Sequence, residues 1–363
     1  MTMNPFQTVE SAISWAEGQD WCRNMASCPQ DPKFHMEGDV WSHTKRVLRE
    51  LPQVPGWNEL ASDDRQALTA AGLLHDSGKP RTTLDENGTI TSRGHSRAGA
   101  RLARNVLREL GMALAERERV VNLVACHGWP PRILDRSRPE MEVIKAAWLA
   151  RNDLLWALSW ADAKGRLGQD TGFLDAVSLW RDIALENDCW RHPLPGANAE
   201  AKLLAFDGKD IRFYKPQEPN RGRMIMMSGL PGTGKDTWLH EHFPEMPVVS
   251  LDALRESMDV DPDDAQGSVV DAAKELARQH LRQGTAFSFN ATNVTRETRA
   301  RWIRLARDYD FQVAVVYIEP PLAAILEQNM RRPSPVPESV IMKLLAKLEA
   351  PSGNEAHEVT LLP

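Results

Sequence analysis

The chain is poor in cysteine: 363 residues contain four, Cys22, Cys28, Cys126 and Cys189, and none forms a C-x-x-C pair. That spacing excludes a disulfide framework and a cysteine-built zinc site. Long apolar runs are missing too. No stretch approaches the roughly 18 consecutive apolar residues of a membrane span, and the opening MTMNPFQTVE has neither the basic nor the apolar region of a secretory signal. A cationic excess is absent, since 44 Lys and Arg face 50 Asp and Glu for a net charge of -6. Proteins that coat duplex nonspecifically are usually basic. Any handling of nucleic acid here therefore falls to local phosphate pockets. There is no internal repeat and no low-complexity tract. These absences predict a reduced, cytoplasmic protein with no membrane partner.

What is present divides the chain. At about 150 residues per domain, the length suits two domains. Residues 1–190 read as helices with loops and carry ten of the twelve tryptophans, most of them suited to filling a core. Residues 191–222 hold Pro193, Pro195, Gly196, Pro216, Pro219 and Gly222, the composition of a connector. From residue 223 to 363 the pattern changes. MIMMSG, MPVVS, TAFSFN and QVAVVYI are short strand-like runs, separated by helical patterns such as VDAAKELARQHLRQ and TRETRARWIRLARDY. This alternation predicts a parallel sheet. The expected fold is an all-α helical bundle followed by an α/β domain.

In the first half, candidate ligands fall on apolar helix faces. His43 lies between Val40 and Val47, and His75 follows Leu68 and Ala71. His95 precedes Ala98, Leu102 and Val106; His127 continues Val120 and Val124; Asp162 completes Leu154 and Leu158. Each of these five side chains should point inward. Singly, each reads as a satisfied core polar group. Together, with Asp76 beside His75, they would bury carboxylates among imidazoles. A buried ionised carboxylate costs several kcal/mol unless paired. Divalent metal removes all these penalties at once. Six ligands exceed one tetrahedral ion, so a two-metal centre is expected, with Asp76 able to bridge.

The ordered strings HMEGDVWSHT, LLHDSGKP, GHSRAGA, ACHGWPP and ADAKGR resemble an HD-domain metal-dependent phosphohydrolase over residues 29–166. They resemble the HD domain attached to some bacterial tRNA nucleotidyltransferases. The resemblance implies phosphoester hydrolysis, with His43, His75, Asp76, His95, His127 and Asp162 holding one or two ions of Mn, Fe, Co, Ni, Cu or Zn. Two ions lower the pKa of a bound water and neutralise phosphate charge. Lys79 and Arg166 each sit one turn beyond a ligand, placed to hold phosphate oxygens rather than to serve as solvated surface charge. His35, Glu37 and Asp39 precede the first ligand helix as supporting groups, although Asp39 can equally cap that helix.

In the second half GLPGTGK, between the strand-like MIMMS and a helical run, is a G-x-x-x-x-G-K phosphate loop. Gly229, Pro231, Gly232, Thr233, Gly234, Lys235, Asp236 and Thr237 form its nucleotide site. Backbone N–H groups cradle the phosphates of ATP or another NTP, and Lys235 reaches the β- and γ-phosphates. Asp236 stands where Ser or Thr usually contacts Mg²⁺; either it or Thr237 takes that contact.

VSLDALR, with its D-x-x-R after a strand, resembles the 5′-hydroxyl polynucleotide kinases. So do NATN and the lid-like NMRRPSPVPE, and the resemblance spans residues 222–350. It implies Asp252 as general base toward a 5′-hydroxyl, although Asp252 can also cap its helix. It implies Arg255 on a neighbouring phosphate, Thr292 and Asn293 at the phosphate site, and Arg332 as the lid arginine. Arg331 is adjacent and able to substitute. His240 and His242 do not share a helix face and receive no role.

The domain order resembles bacterial fusions of an HD phosphoesterase to a 5′-hydroxyl polynucleotide kinase. It implies an end-healing enzyme that clears 2′,3′-cyclic, 2′- or 3′-phosphate ends and phosphorylates 5′-hydroxyl ends of RNA or DNA, ready for a downstream polynucleotide ligase. Two alternatives stand beside it. One is an HD nucleotidase joined to a nucleoside or other small-molecule kinase. The other is a nucleotide-sensing regulatory protein.

Overall fold

The computed structural model describes residues 4–169, 172–260, 266–332 and 334–363. It forms two compact units, Met1–Gly196 and Ala197–Pro363. No helix among the described residues is long and apolar enough to cross a membrane. All four cysteines are free and buried.

The first unit is helical: α1 (Val9–Glu17), α2 (Asp20–Ala26), α3 (Val40–Glu50), α4 (Ser62–Leu74), α5 (His95–Glu109), α6 (Leu114–Cys126), α7 (Pro139–Ala146), α8 (Asn152–Gly165) and α9 (Phe173–Glu186). Asp39 starts α3 as its cap, accepting from the Ser42 amide at 2.8 Å. That decides between the two roles expected for Asp39: it caps. Leu68, Ala71, Leu73 and Leu74 bury the face of α4 that leads to His75. Beyond it Gly78 permits a close approach. A Cβ there would lie 2.1 Å from the His95 carbonyl oxygen, so a larger residue would push the start of α5 away from the end of α4. Core filling by tryptophan holds for Trp180, fully buried with its indole N–H donating to Asn152 Oδ1 at 3.1 Å.

Helices with loops are not the whole of this unit. A hairpin, β1 (Leu84–Glu86) with antiparallel β2 (Thr89–Thr91), turns through Asn87 and Gly88. Both turn residues have positive φ, 57° and 87°. The Asn-Gly pair was a legible turn signal, but the flanking residues are largely exposed and show no apolar alternation.

The second unit opens with α10 (Ala199–Phe206), inside the stretch expected to be connector. This helix is anchored: Lys202 Nζ donates to the His357 carbonyl at 3.0 Å, and His357 Nε2 lies 3.0 Å from Glu200. The sheet comprises β3 (Gly222–Ser228), β4 (Val248–Ser250), β5 (Phe287–Asn290), β6 (Phe311–Ile318) and β7 (Glu358–Leu362). Its order is β4-β5-β3-β6-β7, with every pair parallel. Four strands coincide with the expected runs. The fifth, β7, is a half-exposed edge strand. The remaining helices are α11 (Lys235–His242), α12 (Leu251–Ser257), α13 (Gly267–Gln283), α14 (Arg296–Arg307), α15 (Leu322–Met330) and α16 (Glu338–Lys347). On one face Met224, Met226, Phe287, Phe289, Val313 and Val315 pack with Ala273, Leu281 and Trp302. On the other Ile225, Met227 and Val316 pack with Leu239. Burial on both faces explains why the central strands read as continuous apolar runs. The phosphate loop leaves the end of β3, where the strand order reverses, the usual place for a ligand in such sheets.

Candidate functional sites

The helix ends of the first unit converge on six side chains. His43 (α3), His75 and Asp76 (end of α4), His127 (end of α6) and Asp162 (α8) are buried, and His95 at the start of α5 is partly exposed. Two ligand triads result: His43, His75 and Asp162, and Asp76, His95 and His127. His43 Nε2 lies 3.0 Å from Asp162 Oδ1; Asp76 Oδ1 lies 3.4 Å from His95 Nε2; Asp76 Oδ2 lies 3.3 Å from His75 Nε2. Asp76 thus uses different oxygens toward the two triads, the arrangement a bridging carboxylate requires.

The tautomers are set from behind. Each ring Nδ1 faces an acceptor: the Gly72 carbonyl for His75 (2.8 Å), the Ser92 carbonyl for His95 (2.8 Å), the Val124 carbonyl for His127 (2.7 Å) and Glu37 Oε1 for His43 (2.8 Å). An Nδ1–H donated outward leaves Nε2 as a lone pair aimed at the centre. His75 Nε2 is buried with no hydrogen-bond partner among the described residues. A buried orphan of this kind costs roughly 1–3 kcal/mol unless something binds it. The donor set therefore fits divalent metal, with neutral imidazoles and ionised carboxylates as ligands.

Charge within the cleft keeps the carboxylates ionised. Burial pushes the Asp76 carboxyl pKa up, but Lys79, His75 and His95 overcome it and hold Asp76 well below the usual range. Asp162 is likewise held low against burial by Arg166 and His43. Burial pulls His127 down to about 3, with help from His95 and His75, so it is neutral at any ordinary pH.

Lys79 and Arg166 both enter the site. Lys79 Nζ lies 2.7 Å from Asp76 Oδ2 and 2.6 Å from Gln30 Oε1. Arg166 donates to both oxygens of Asp162, at 3.2 and 2.8 Å, and its guanidinium stands 4.5 Å from the Phe173 ring centre. Glu37 supports from behind: Oε1 takes both His35 and His43, and Oε2 accepts from the Leu167 amide at 2.9 Å. The cluster floors a cleft of about 790 Å³. Gln30 was not legible as a site residue, because its contact with Lys79 spans 49 positions of sequence.

In the second unit Gly229, Gly232 and Gly234 all have positive φ. At Gly232 the need is also steric, since a Cβ would meet the Ile325 carbonyl at 2.9 Å and the Asn329 side chain at 3.2 Å. Pro231 and Thr233 are buried in the loop, and the Thr233 hydroxyl donates to the Leu230 carbonyl at 3.0 Å. Lys235 is buried and curls back on the loop, donating to the Gly229 and Leu230 carbonyls at 3.1 and 2.8 Å. Burial lowers its pKa to about 8; Asp236 and Asp252 oppose that shift and Arg332 adds to it. Three other expected site residues thus act electrostatically on Lys235. Asp236 and Thr237 are exposed, and Asp236 Oδ1 accepts from Asn290 Nδ2 at 2.6 Å.

Several expectations need correction. Asp252 does not cap α12; Ser250 does, accepting from the Ala253 amide at 3.3 Å. Asp252 lies inside the first turn and contacts Arg255 directly, while Arg255 also donates to Gln266 at 2.8 Å. Asn293 is not free to hold a phosphate: it is buried at a positive φ of 44°, and its amide donates to the Met227 carbonyl at 2.8 Å. It latches its loop to β3. Thr292 is partly exposed, and its carbonyl accepts from the Gly229 amide at 2.9 Å, tying this loop to the phosphate loop. Arg331 is exposed and pairs with Glu327, whereas Arg332 is half-buried on the Lys235 side. Pro333, within the lid string, lies outside the described residues. Asn329, which sequence reasoning missed, closes the turn after α15 by exchanging two hydrogen bonds with Val336, at 2.8 and 3.0 Å. His242 stacks on Trp238 with ring centres 4.2 Å apart.

Two protein families match the chain. An HD domain matches residues 40–154, and an AAA domain matches residues 224–351. The chain thus carries an HD domain followed by a P-loop kinase-like domain. A curated relative, the L-seryl-tRNA(Sec) kinase of Methanococcus maripaludis, is 23% identical over 143 residues, covering 38% of this chain. The chain spans about half of that relative, 56% of its length. Among solved structures, a gluconokinase from Sinorhizobium meliloti 1021 aligns with 40% of this chain and 83% of its own, at 18% identity and a TM-score of 0.29.

Proposed function

We propose that this protein heals broken nucleic-acid ends. Its HD unit removes a 2′,3′-cyclic, 2′- or 3′-phosphate, and its P-loop unit transfers phosphate from ATP to a 5′-hydroxyl. The observation that carries the reading is the pairing, in one chain, of an HD domain whose cleft gathers two His/Asp triads with a P-loop kinase-like domain. Acting on one molecule, the two would undo each other. Acting on the two sides of a transesterified break, they prepare both ends for a ligase. The relative's name gives an L-seryl-tRNA, not a polynucleotide 5′ end, as that enzyme's substrate.

In the HD unit His43, His75, Asp76, His95, His127 and Asp162 hold one or two divalent ions. When bound, such ions activate water and screen phosphate charge. Lys79 and Arg166 release part of their hold on the carboxylates to take phosphate oxygens. In the P-loop unit the loop amides and Lys235 bind ATP, and Asp236 or Thr237 faces Mg²⁺. Asp252 accepts the proton of the attacking hydroxyl, and Arg332 covers the migrating phosphoryl group. Arg255 and Thr292 contact the acceptor strand.

The test is an RNA carrying a 2′,3′-cyclic phosphate and a 5′-hydroxyl, incubated with Mn²⁺, then with Mg²⁺ and ATP. Loss of the cyclic phosphate and gain of a 5′-phosphate are expected. Phosphorylation of a free nucleoside but not of the RNA would replace this reading with a small-molecule kinase.

A further inference from the structure

The HD cleft carries more positive charge than its chemistry requires. Its two inner cations are already matched, Lys79 to Asp76 and Arg166 to Asp162. Three outer arginines are different. Arg93, Arg132 and Arg136 line the same cleft, are exposed, and pair with no carboxylate among the described residues. Beyond the two ligand aspartates, Asp31 is the one further carboxylate lining the cleft, and it accepts from the Lys33 amide at 3.0 Å. In a chain of net charge -6, three unmatched guanidiniums on one rim are a local reversal of sign.

Their placement is specific. Arg93 lies two residues before His95. Arg132 lies within the short 3₁₀ segment Pro130–Asp135 and Arg136 just after it, and Trp129, which precedes them in the chain, also lines the cleft. The rim therefore flanks the His95–His127 side of the cluster from two chain segments. A cleft of about 790 Å³ lies in the range that takes a ligand of several rings, far more than one phosphate. Guanidinium groups suit bidentate phosphate contact, and an aromatic beside them suits an unstacked base.

We propose, building on the hydrolytic reading above, that Arg93, Arg132 and Arg136 form a strand-binding rim. It takes backbone phosphates of single-stranded nucleic acid next to the terminal phosphate. The rim makes the HD cleft select polynucleotide ends over mononucleotides.

The experiment uses the full chain and the triple variant R93Q/R132Q/R136Q. Binding of a short RNA ending in a 3′-phosphate, with a fluorophore at its 5′ end, is followed by anisotropy across a salt titration without metal or ATP. Each single-strand phosphate contact contributes ~0.7 to the slope of log K against log salt, so the variant should flatten the slope by about 2. The R93K/R132K/R136K variant, which keeps the charge, should retain most of it. With Mn²⁺ present, the preference in kcat/KM for an RNA cyclic phosphate over a cyclic mononucleotide should fall about tenfold in the glutamine variant. An unchanged slope and preference would overturn the rim. So would equal, equally salt-sensitive binding of an acidic peptide of matching charge. If the wild-type chain hydrolyses neither substrate, the hydrolytic reading falls, and the anisotropy alone still decides whether the rim binds strands.

Discussion

The Nε2 atoms of His95 and His127 face each other at 3.2 Å, although each ring has its Nδ1 against a backbone carbonyl. With both Nδ1 protons donated outward, two lone pairs point at one space. His127, held neutral by burial, cannot relieve the contact by charging. A cation held by His95, His127 and Asp76 would relieve it. His75→Ala and Asp76→Ala should therefore each abolish phosphoesterase activity and lower the transition metal carried by the purified protein. Elemental analysis and a cyclic-phosphate assay check both. Full metal content and activity in both variants would sink the assignment.

Glu37 touches no reacting atom, yet it holds the His43 ring by its Nδ1 and binds the Leu167 amide two residues past the end of α8. Glu37→Gln keeps the size and removes the charge that favours donation from His43. Metal affinity should fall ~10–100-fold, as for other partners behind a ligand. Excess metal in the assay should restore much of the activity. Loss that no metal concentration rescues would mean that Glu37 acts on substrate instead.

Lys235 gives a pH prediction whose sign is fixed by its burial. Its pKa of about 8 in the nucleotide-free protein lies below the usual lysine value. Bound phosphates favour the charged form, so binding takes up a proton at pH values above about 8. ATP affinity should be flat below that pH and weaken above it, by up to about tenfold per unit. The same shift means the unfolded chain binds more protons between about pH 8 and the ordinary lysine range, so the free unit gains stability with rising pH there. Calorimetric titration in buffers of different ionisation enthalpy measures the proton uptake. No uptake would show that Lys235 is charged before nucleotide arrives.

Asp236 tests the departure from the usual phosphate-loop pattern. Its contact with Asn290 Nδ2 ties it to the end of β5. Asp236→Ser restores the customary hydroxyl and should keep a Mg²⁺-dependent kinase with modest loss. Lys235→Ala should be far worse, because it removes charge from the transferring phosphate. Equal collapse in both, measured as ATP-dependent phosphorylation, would assign Asp236 a role beyond Mg²⁺.

Much of this was legible in the residue order, for identifiable reasons. Ligands such as His43 and Asp162 sit on helical faces, where a period of 3.6 betrays which way a side chain points. The phosphate loop is contiguous, so its spacing carries its chemistry. What stayed hidden depends on distant partners or on caps. Gln30 beside Lys79, and Asn290 beside Asp236, are ordinary polar residues until the fold joins them. Asp252 and Ser250 compete as caps two positions apart, and only the backbone at Ser250 decides. Asn293 looked like a phosphate contact because its motif ends a strand, yet its positive φ turns the amide inward to Met227. The hairpin and β7 are short and half-exposed, and neither has the apolar run that marks a buried strand.

The two chemistries should be separable. All six proposed metal ligands, with Lys79 and Arg166, lie in the first compact unit; Lys235, Asp252 and Arg332 lie in the second. Each set holds its own cations and its own proton acceptor, so neither lacks a group the other supplies. Asp252→Ala should destroy 5′ phosphorylation and leave clearance of the 3′ end nearly intact. The attacking hydroxyl must lose its proton, and a positioned base contributes ~10²–10⁴-fold. Asp76→Ala should do the reverse, because Asp76 is the carboxylate whose two oxygens serve the two ligand triads. Circular dichroism of each variant checks that it folds. One RNA bearing both damaged ends, incubated with each variant and resolved by gel, reads both activities at once. A folded variant that loses both activities from one substitution would replace two independent sites with a single coupled one.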